Sequence, residues 1–371
     1  MTAPRVWYAP AALDEAARRA FADIVPYCVA GAAEHRVTAG RRPVVSFVAA
    51  DPEHVERLLT KAYERVAGPV AVPRTVFDRW DAPAVAQPGA VDTHPVGPGL
   101  LVGGPVFARL VRTLDAVFLG LALRAGAVEH SVPALLTWDT LDRAGYPRTF
   151  PQHLTTCGVV GDDLEALDRF AAADPTDRAA HVRLAPVCLA PAVCLHLFRR
   201  YAGTALDAPF VATATGSCGR YEAASGGSRT RLWSYTMREI VYVGDAPGAE
   251  RFRRSMLEAL EGLAGALGLP CRLVTANDPF FTADRPQRTV YQGRFDVKYE
   301  LCGRLAADGA SLAVASVNIH DQHFGDAFDI RWPDGAPAHS VCLGFGLDRW
   351  AHWVHGYAGD DPARWPAPLR A

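Results

Sequence analysis

The sequence predicts an α+β protein, an antiparallel β-sheet flanked by helices, with a small α/β region ahead of it. Three observations carry this. First, "PFVATATGSCGRYE", "RLWSYTMREIVYVG", "FDVKYELCGRL" and "SLAVASVNIH" are runs rich in Val, Thr and Tyr. Second, turns join most of these runs, and a single long helical pattern separates them, as antiparallel pairing allows. Third, no GxGxxG or GxxxxGK[ST] stretch occurs, so the two commonest parallel nucleotide-binding folds are excluded.

Taken in order, "AALDEAARRAFADIVPYCVAG" has the apolar spacing of an amphipathic helix. "RPVVSFVAA" follows as a buried strand, and "DPEHVERLLTKAYERVAG" as a helix capped by Asp51. Residues 71–104 are rich in proline and glycine with weak periodicity, which predicts a linker or long surface loop. "PVFARLVRTLDAVFLGLALRAGA" is a long helix, and "VEHSVPALLT" a strand containing Pro133. "GAERFRRSMLEALEGLAGALG" is a further helix that ends at a glycine C-cap. The domain division expected is residues 1–95, a region of hidden role plus linker, and residues 105–371, the main unit.

Composition narrows the function classes. The chain has 371 residues, half of them hydrophobic, and a formal net charge of −2. No global basic field exists to attract nucleic acid. No apolar run reaches the roughly 18 residues of a membrane span, and the N-terminus lacks the apolar stretch of a signal peptide. The eight cysteines are scattered without a CxxC pair, which points to reduced thiols in the cytoplasm.

The richest chemistry lies in residues 216–244. Arg220 and Glu222 share one face of the first arm of a predicted hairpin, and Arg231, Tyr235 and Glu239 one face of the second. Ionic groups with an aromatic ring on one sheet face are costly as core. They fit either a solvated face with cross-strand ion pairs or a ligand platform, with arginines for phosphates and a ring for stacking. Near the C-terminus, "SVCLGFGLDRW" reads as strand, glycine turn and helix, with Arg349 in the first helical turn.

These stretches resemble the motifs of class II aminoacyl-tRNA synthetases. Arg220-Tyr-Glu222, a loop, then Arg231-x-x-x-Tyr235 is similar to motif 2. Gly344-Phe-Gly346-Leu-Asp348-Arg349 is similar to motif 3, and the helix from 106 with the strand to Pro133 to motif 1, which builds the dimer interface of that class. Within the class, "AVCLHLFRRYAG", "SCGRYE", "MREIVYVG", "VNIHDQHFGDAFDI" and "SVCLGFGLDRW" look most like the amino acid:[carrier protein] ligases, truncated relatives of atypical zinc-dependent seryl-tRNA synthetases. "LDRAGYPRTFPQH" resembles the region ahead of their core. The resemblance covers about residues 105–355, and no counterpart is apparent for residues 1–95.

The resemblance implies one zinc per chain, held by Cys194, Glu239 and Cys342, with the substrate's α-amino group at the open position; Cys188 is a rival ligand and Cys218 a structural residue. It implies that Arg220 holds the α-phosphate and the reacting carboxylate, and that Glu222 faces the adenine amino group. Arg231 and Arg349 take the β- and γ-phosphates, Tyr235 stacks on adenine, and Gly346 lets the backbone approach the nucleotide. Arg238, on the opposite strand face from Glu239, is less readily assigned. Two departures stand out: Gly219 occupies a position where a large residue is common, and the acid for ATP's magnesium is not evident, Glu300 being the nearest candidate.

The implied reaction activates a small amino acid with ATP as its aminoacyl-adenylate and transfers it to the phosphopantetheine thiol of a carrier protein. Arg199, Arg200, Arg251, Arg253 and Arg254 are the candidate carrier patch, and segment 106–135 the candidate homodimer interface. No tRNA-binding appendage is visible, so tRNA is not the expected partner. Two other readings stay open. An atypical seryl-type tRNA synthetase needs a basic face on residues 1–70, where Arg18, Arg19, Arg36, Arg41 and Arg42 are diluted by acids. A non-catalytic paralogue acting as a regulator is favoured only by the unplaced magnesium acid.

Overall fold

The computed structural model describes residues 3–38, 40–67, 73–86, 91–223, 228–278, 280–281, 288 and 296–370. Its first unit runs β1 (Arg5–Tyr8), α1 (Glu15–Cys28), β2 (Ala32–Thr38), β3 (Val44–Ala49) and α2 (Pro52–Val66). β3 is the middle strand of an antiparallel three-stranded sheet, β1-β3-β2. Both helices start where an aspartate caps them: Asp14 accepts from Ala17 N and Asp51 from His54 N. Phe21, Val25, Phe47, Leu59 and Val66 belong to a separate core of this unit, against which Phe281 also packs.

Then come β4 (Thr75–Asp78), β5 (Thr93–Gly97), β6 (Leu100–Gly103), α3 (Pro105–Arg124), β7 (Val128–Ser131) and β8 (Leu135–Thr137). They are followed by α4 (Trp138–Arg143), α5 (Tyr146–Thr149), β9 (Thr156–Val160), α6 (Leu164–Ala172), β10 (Val182–Leu189) and α7 (Cys194–Arg200). The remainder is β11 (Phe210–Gly219), β12 (Ser234–Gly244), α8 (Ala246–Leu267), β13 (Cys271–Thr275), β14 (Lys298–Arg304), β15 (Ser311–Asp321), α9 (His323–Phe328), β16 (His339–Gly346) and α10 (Leu347–Ala358).

An eight-stranded sheet, ordered β4-β13-β14-β15-β16-β12-β11-β7, organises the main unit. Every pairing is antiparallel except β7 with β11 at one edge. Two cores separate its faces. α3, α8 and α10 cover one, where Phe118 stacks on Phe345 at 3.9 Å and Trp350 packs beside them. α7 and α9 cover part of the other, around Phe198, Val241 and Phe328.

Two expectations need correction. The stretch 71–104 is more than linker: β4 extends the large sheet, pairing Phe77 with Leu273, and β5 and β6 form a hairpin. Weak periodicity hid these short strands, and the partner of β4 lies far away in sequence. The strand expected through Pro133 is two strands, with β7 in the large sheet and β8 in the small sheet β8-β10-β9. Proline lacks the N–H of a central ladder position, so the chain changes sheets across it.

Candidate active site

The site lies where β12 and β16 pair at the centre of the sheet. Glu239 faces Gly344 in register, and Cys342 faces Val241, which makes Glu239 and Cys342 diagonal neighbours on one face. A Cβ at Gly344 would stand 3.2 Å from the Glu239 carboxylate and 3.1 Å from Met237, so any larger residue would crowd both side chains. Cys194 opens α7 above this face, and its N–H donates to Glu239. One ligand atom from each of Cys194, Glu239 and Cys342 lies within 4.8 Å of the others, and all three residues are buried.

This group has the chemistry of a cation site. The Glu239 carboxyl is pushed up by burial. Cys342 is pushed up by its hydrogen bond with Cys194, by burial and by Glu239. For Cys194 the hydrogen bond with Cys342 acts the other way, but burial and Glu239 still raise it. Such groups become anions together only if a cation joins them. Two thiolates and a carboxylate are a zinc donor set, and a tetrahedral ion with bonds of about 2.0–2.3 Å would leave one position open. Cys188 is no rival: its thiol donates to the Leu136 carbonyl at 3.4 Å, and it lies outside the group. Cys218 is buried with its thiol turned to the Gly216 carbonyl, as a structural residue would be.

A cavity of about 340 Å³ extends from this group, lined among others by Arg220, Glu222, Tyr235, Gly346, Arg349 and Glu300. The strands end sooner than alternation predicts, since β11 stops at Gly219 and β12 begins at Ser234. Arg220, Glu222 and Arg231 therefore stand on the loop side of the hairpin. Arg220 donates to the Pro191 carbonyl at 2.9 Å and lies over the Tyr235 ring, 5.7 Å from its centroid. The Tyr235 hydroxyl donates to the same carbonyl at 3.0 Å. Arg349 donates to the Thr230 and Ala313 carbonyls at 3.1 and 3.2 Å. Asp348 accepts from Thr236 N at 2.6 Å, tying the helix start to β12. Gly219 is explained by packing, because a Cβ would meet Leu189 at 2.6 Å.

Arg231 departs from expectation. It does not line the cavity; it turns to Asp23 of α1 at 2.7 Å, with Glu222 at 3.8 Å. Glu300 does line the cavity, but Lys298 Nζ sits 3.1 Å from its carboxylate, a poor setting for a second cation. Arg238 points away from the cavity, fully buried, to Asp115 on α3 at 2.6 and 2.9 Å and to Glu129 on β7 at 3.1 Å. The five arginines of the candidate carrier patch do not form one surface. Arg199 and Arg200 end α7, whereas Arg251, Arg253 and Arg254 lie on α8, across the sheet. Arg199 also pairs with Asp139, and Arg253 and Arg254 with Glu250.

The sequence reading passed over Lys298, Asp278, His320 and Phe324, which also line the cavity. Burial works against the Lys298 ammonium, but Asp278 and Glu300 beside it hold its pKa above the ordinary lysine range. A signal was present: Lys61 and Lys298 are the only lysines in the chain, and Lys298 alternates with Glu300 along β14.

This is the fold of the class II seryl-tRNA synthetases. The structure of Methanopyrus kandleri seryl-tRNA synthetase in complex with Aquifex aeolicus tRNASec aligns with a TM-score of 0.71 at 23% identity, over 92% of this chain and 73% of that one. The match reaches further than residues 96–371 alone can supply, so part of the N-terminal region also has a counterpart in fold. Seryl-tRNA synthetase from Pyrococcus horikoshii complexed with ATP aligns with a TM-score of 0.56 at 14% identity, over 74% and 57% of the two chains. Among sequences, amino acid–[acyl-carrier-protein] ligase 2 of Bradyrhizobium diazoefficiens is 33% identical over 244 residues, 64% of this chain and 72% of that protein. Ligase 1 of the same organism is 31% identical over 252 residues, 66% and 76% of the two. The chain belongs to the amino acid–[acyl-carrier-protein] ligase family. No protein-family profile matches it.

Proposed function

We propose that this protein activates a small amino acid with ATP and transfers it to the phosphopantetheine thiol of a carrier protein. One observation carries the reading: a single cavity joins Arg220, Glu222 and Arg349 to the Cys194–Glu239–Cys342 group, in a member of a ligase family. The substrate carboxylate attacks the α-phosphate in line, and pyrophosphate leaves. Arg220 and Arg349 neutralise the charge that develops on the phosphoryl oxygens. Their present acceptors are backbone carbonyls, which phosphate oxygens outbid through charge-assisted bonds. Tyr235 supplies the stacking face for adenine, and Glu222 accepts from its exocyclic amine. The carrier thiol then attacks the activated carbonyl carbon, forming a thioester and releasing AMP.

Cys194, Glu239 and Cys342 are the residues that would hold zinc, which when bound supplies a docking point for the α-amino group. Magnesium travels with ATP; Glu300 lines the cavity but is already paired with Lys298, so no protein acid is assigned to the ion. The catalytic unit runs from Thr75 onward, because β4 is built into its sheet. Its dimer face is α3 with β7 and β8, where Leu123, Val128 and Leu135 are exposed. An obligate interface there buries upwards of about 2,000 Å², and light scattering at micromolar concentration should give the dimer mass. Among the described residues no helix is long and apolar enough to cross a membrane.

The deciding experiment is pyrophosphate exchange against a panel of amino acids, followed by transfer of labelled amino acid. Label should reach a phosphopantetheinylated carrier and not total tRNA. Label on tRNA alone would promote the seryl-type synthetase reading.

A further inference from the structure

Residues 3–67 have no part in the chemistry above, yet α1 leans on the hairpin that carries it. Asp23 is the point of contact, its carboxylate 2.7 Å from the Arg231 guanidinium. One turn further on, the Tyr27 ring meets Tyr221 edge-on at 6.1 Å and Phe281 at 5.4 Å. Its hydroxyl donates to the Gln152 carbonyl at 3.4 Å. Tyr221 is the residue between Arg220 and Glu222, so α1 touches the nucleotide motif at both ends of its loop.

We propose that Asp23 of α1, from outside the cavity, holds Arg231 out of it and competes with the terminal phosphates of ATP for that side chain. The inference rests on the ATP-dependent reading above. Arg231 already has a carboxylate on each end of its guanidinium fork, Asp23 at one terminal nitrogen and Glu222 at the other. Both carboxylates already engage Arg231, so a polyphosphate that recruits it has to displace Asp23. Arg220 and Arg349 give up only carbonyls to bind ATP, whereas Arg231 must give up a carboxylate. Once it does, Asp23 stands uncompensated next to a polyanion, and like-charge repulsion drives α1 away from the hairpin. ATP binding and docking of the N-terminal unit therefore oppose one another, and by linkage each weakens the other equally. Burial raises the Asp23 carboxyl overall, and Arg231 offsets part of that rise.

The size of the effect follows from exposure. The Arg231 and Asp23 side chains are 40% and 30% exposed, so the pair has the modest strength of a surface ion pair. Losing it releases Arg231 and should tighten ATP binding by roughly five-fold at most. Calorimetric titration with a non-hydrolysable ATP analogue, alongside pyrophosphate exchange, reads this directly. Asp23→Asn should bind the analogue about three- to five-fold more tightly and lower KM for ATP by the same factor, with kcat within about two-fold of wild type. Asp23→Glu, which keeps the charge, should stay close to wild type. Tyr27→Ala, which undocks α1 without touching Arg231, should tighten binding in the same direction. A merely structural Asp23 would lower kcat or yield and leave the affinity alone. If the analogue binds wild type and Asp23→Asn equally, or the variant more weakly, Asp23 has no such role. If wild type binds no ATP analogue at all, the nucleotide reading itself falls, and this inference with it.

Discussion

The two ends of the cavity are built on different terms. At the nucleotide end, the arginines already have acceptors: carbonyls for Arg220 and Arg349, carboxylates for Arg231. At the other end, two thiols and a carboxylate crowd together, and burial opposes their ionisation. The first end is satisfied and exchangeable, and a ligand has to outcompete protein groups. The second brings three potential anions together, a set that a bound cation would complete. Substitutions at the first end should therefore cost rate, and at the second composition, with the fold surviving both.

The largest effect expected is on rate. Arg349→Ala and Arg220→Ala each remove a charge-assisted contact to the reacting phosphates, and pyrophosphate exchange should fall roughly 100- to 1000-fold. A near-normal rate for Arg349→Ala would mean that the nucleotide end is misassigned.

Next comes a control behind the sheet. Arg238 is fully buried, bridging β12 to Asp115 on α3 and Glu129 on β7. Arg238→Met leaves those partly exposed acids unpaired and should lower stability by about 2 kcal/mol in urea denaturation, without changing metal content. Loss of metal with unchanged stability would reverse the roles given to adjacent residues 238 and 239.

At the thiol end, elemental analysis of purified protein should find close to one zinc per chain, and Cys342→Ala should lose most of it. Cys188→Ala should retain it. A wild-type protein with full activity and no metal would refute the cation site.

The smallest effect separates polar groups that must stay neutral from those that bind. Burial, and then the charge of Arg220, pushes His153 from 6.5 down to about 4. Burial with Arg229 does the same to His352. A base whose pKa is lowered on folding is protonated more readily in the unfolded chain. Its contribution is intact above pH 6.5 and is lost as pH falls from 6.5 towards 4. At pH 5 each should cost about 1–2 kcal/mol, seen as a lower urea midpoint than at pH 7. His153→Gln should flatten that slope, and an unchanged slope would show that His153 is not held neutral.

How much was legible depends on distance along the chain. Helix starts at Asp51 and the glycine end of α8 were plain, because caps act within four residues. The separation of Arg238 from Glu239 was equally plain, because alternation is a property of one strand. The same rule overreached at Arg220, Glu222 and Arg231, which lie past the strand ends, where alternation no longer applies. β4 was missed because it is four residues long and pairs with a strand about two hundred positions later. Lys298 was passed over because a single lysine between Val297 and Tyr299 carries no local motif, although its rarity was in view.

The sequence by itself determined the kinds of element and the local motifs, because caps, alternation and glycine turns act within a few residues. The grouping of Arg220, Tyr235, Arg349, Cys194, Glu239 and Cys342 as one candidate set came from a resemblance to a family, not from their spacing along the chain. Only the tertiary structure decided where these sets meet. Pairing β12 with β16 makes Glu239 and Cys342 neighbours across a hundred residues, and α7 adds Cys194 above them. It also decided that Arg231 answers first to Asp23, and that the arginines of α7 and α8 lie on opposite faces. Charge and burial act through space, between atoms whose separation along the chain says nothing of their distance once the sheet has closed.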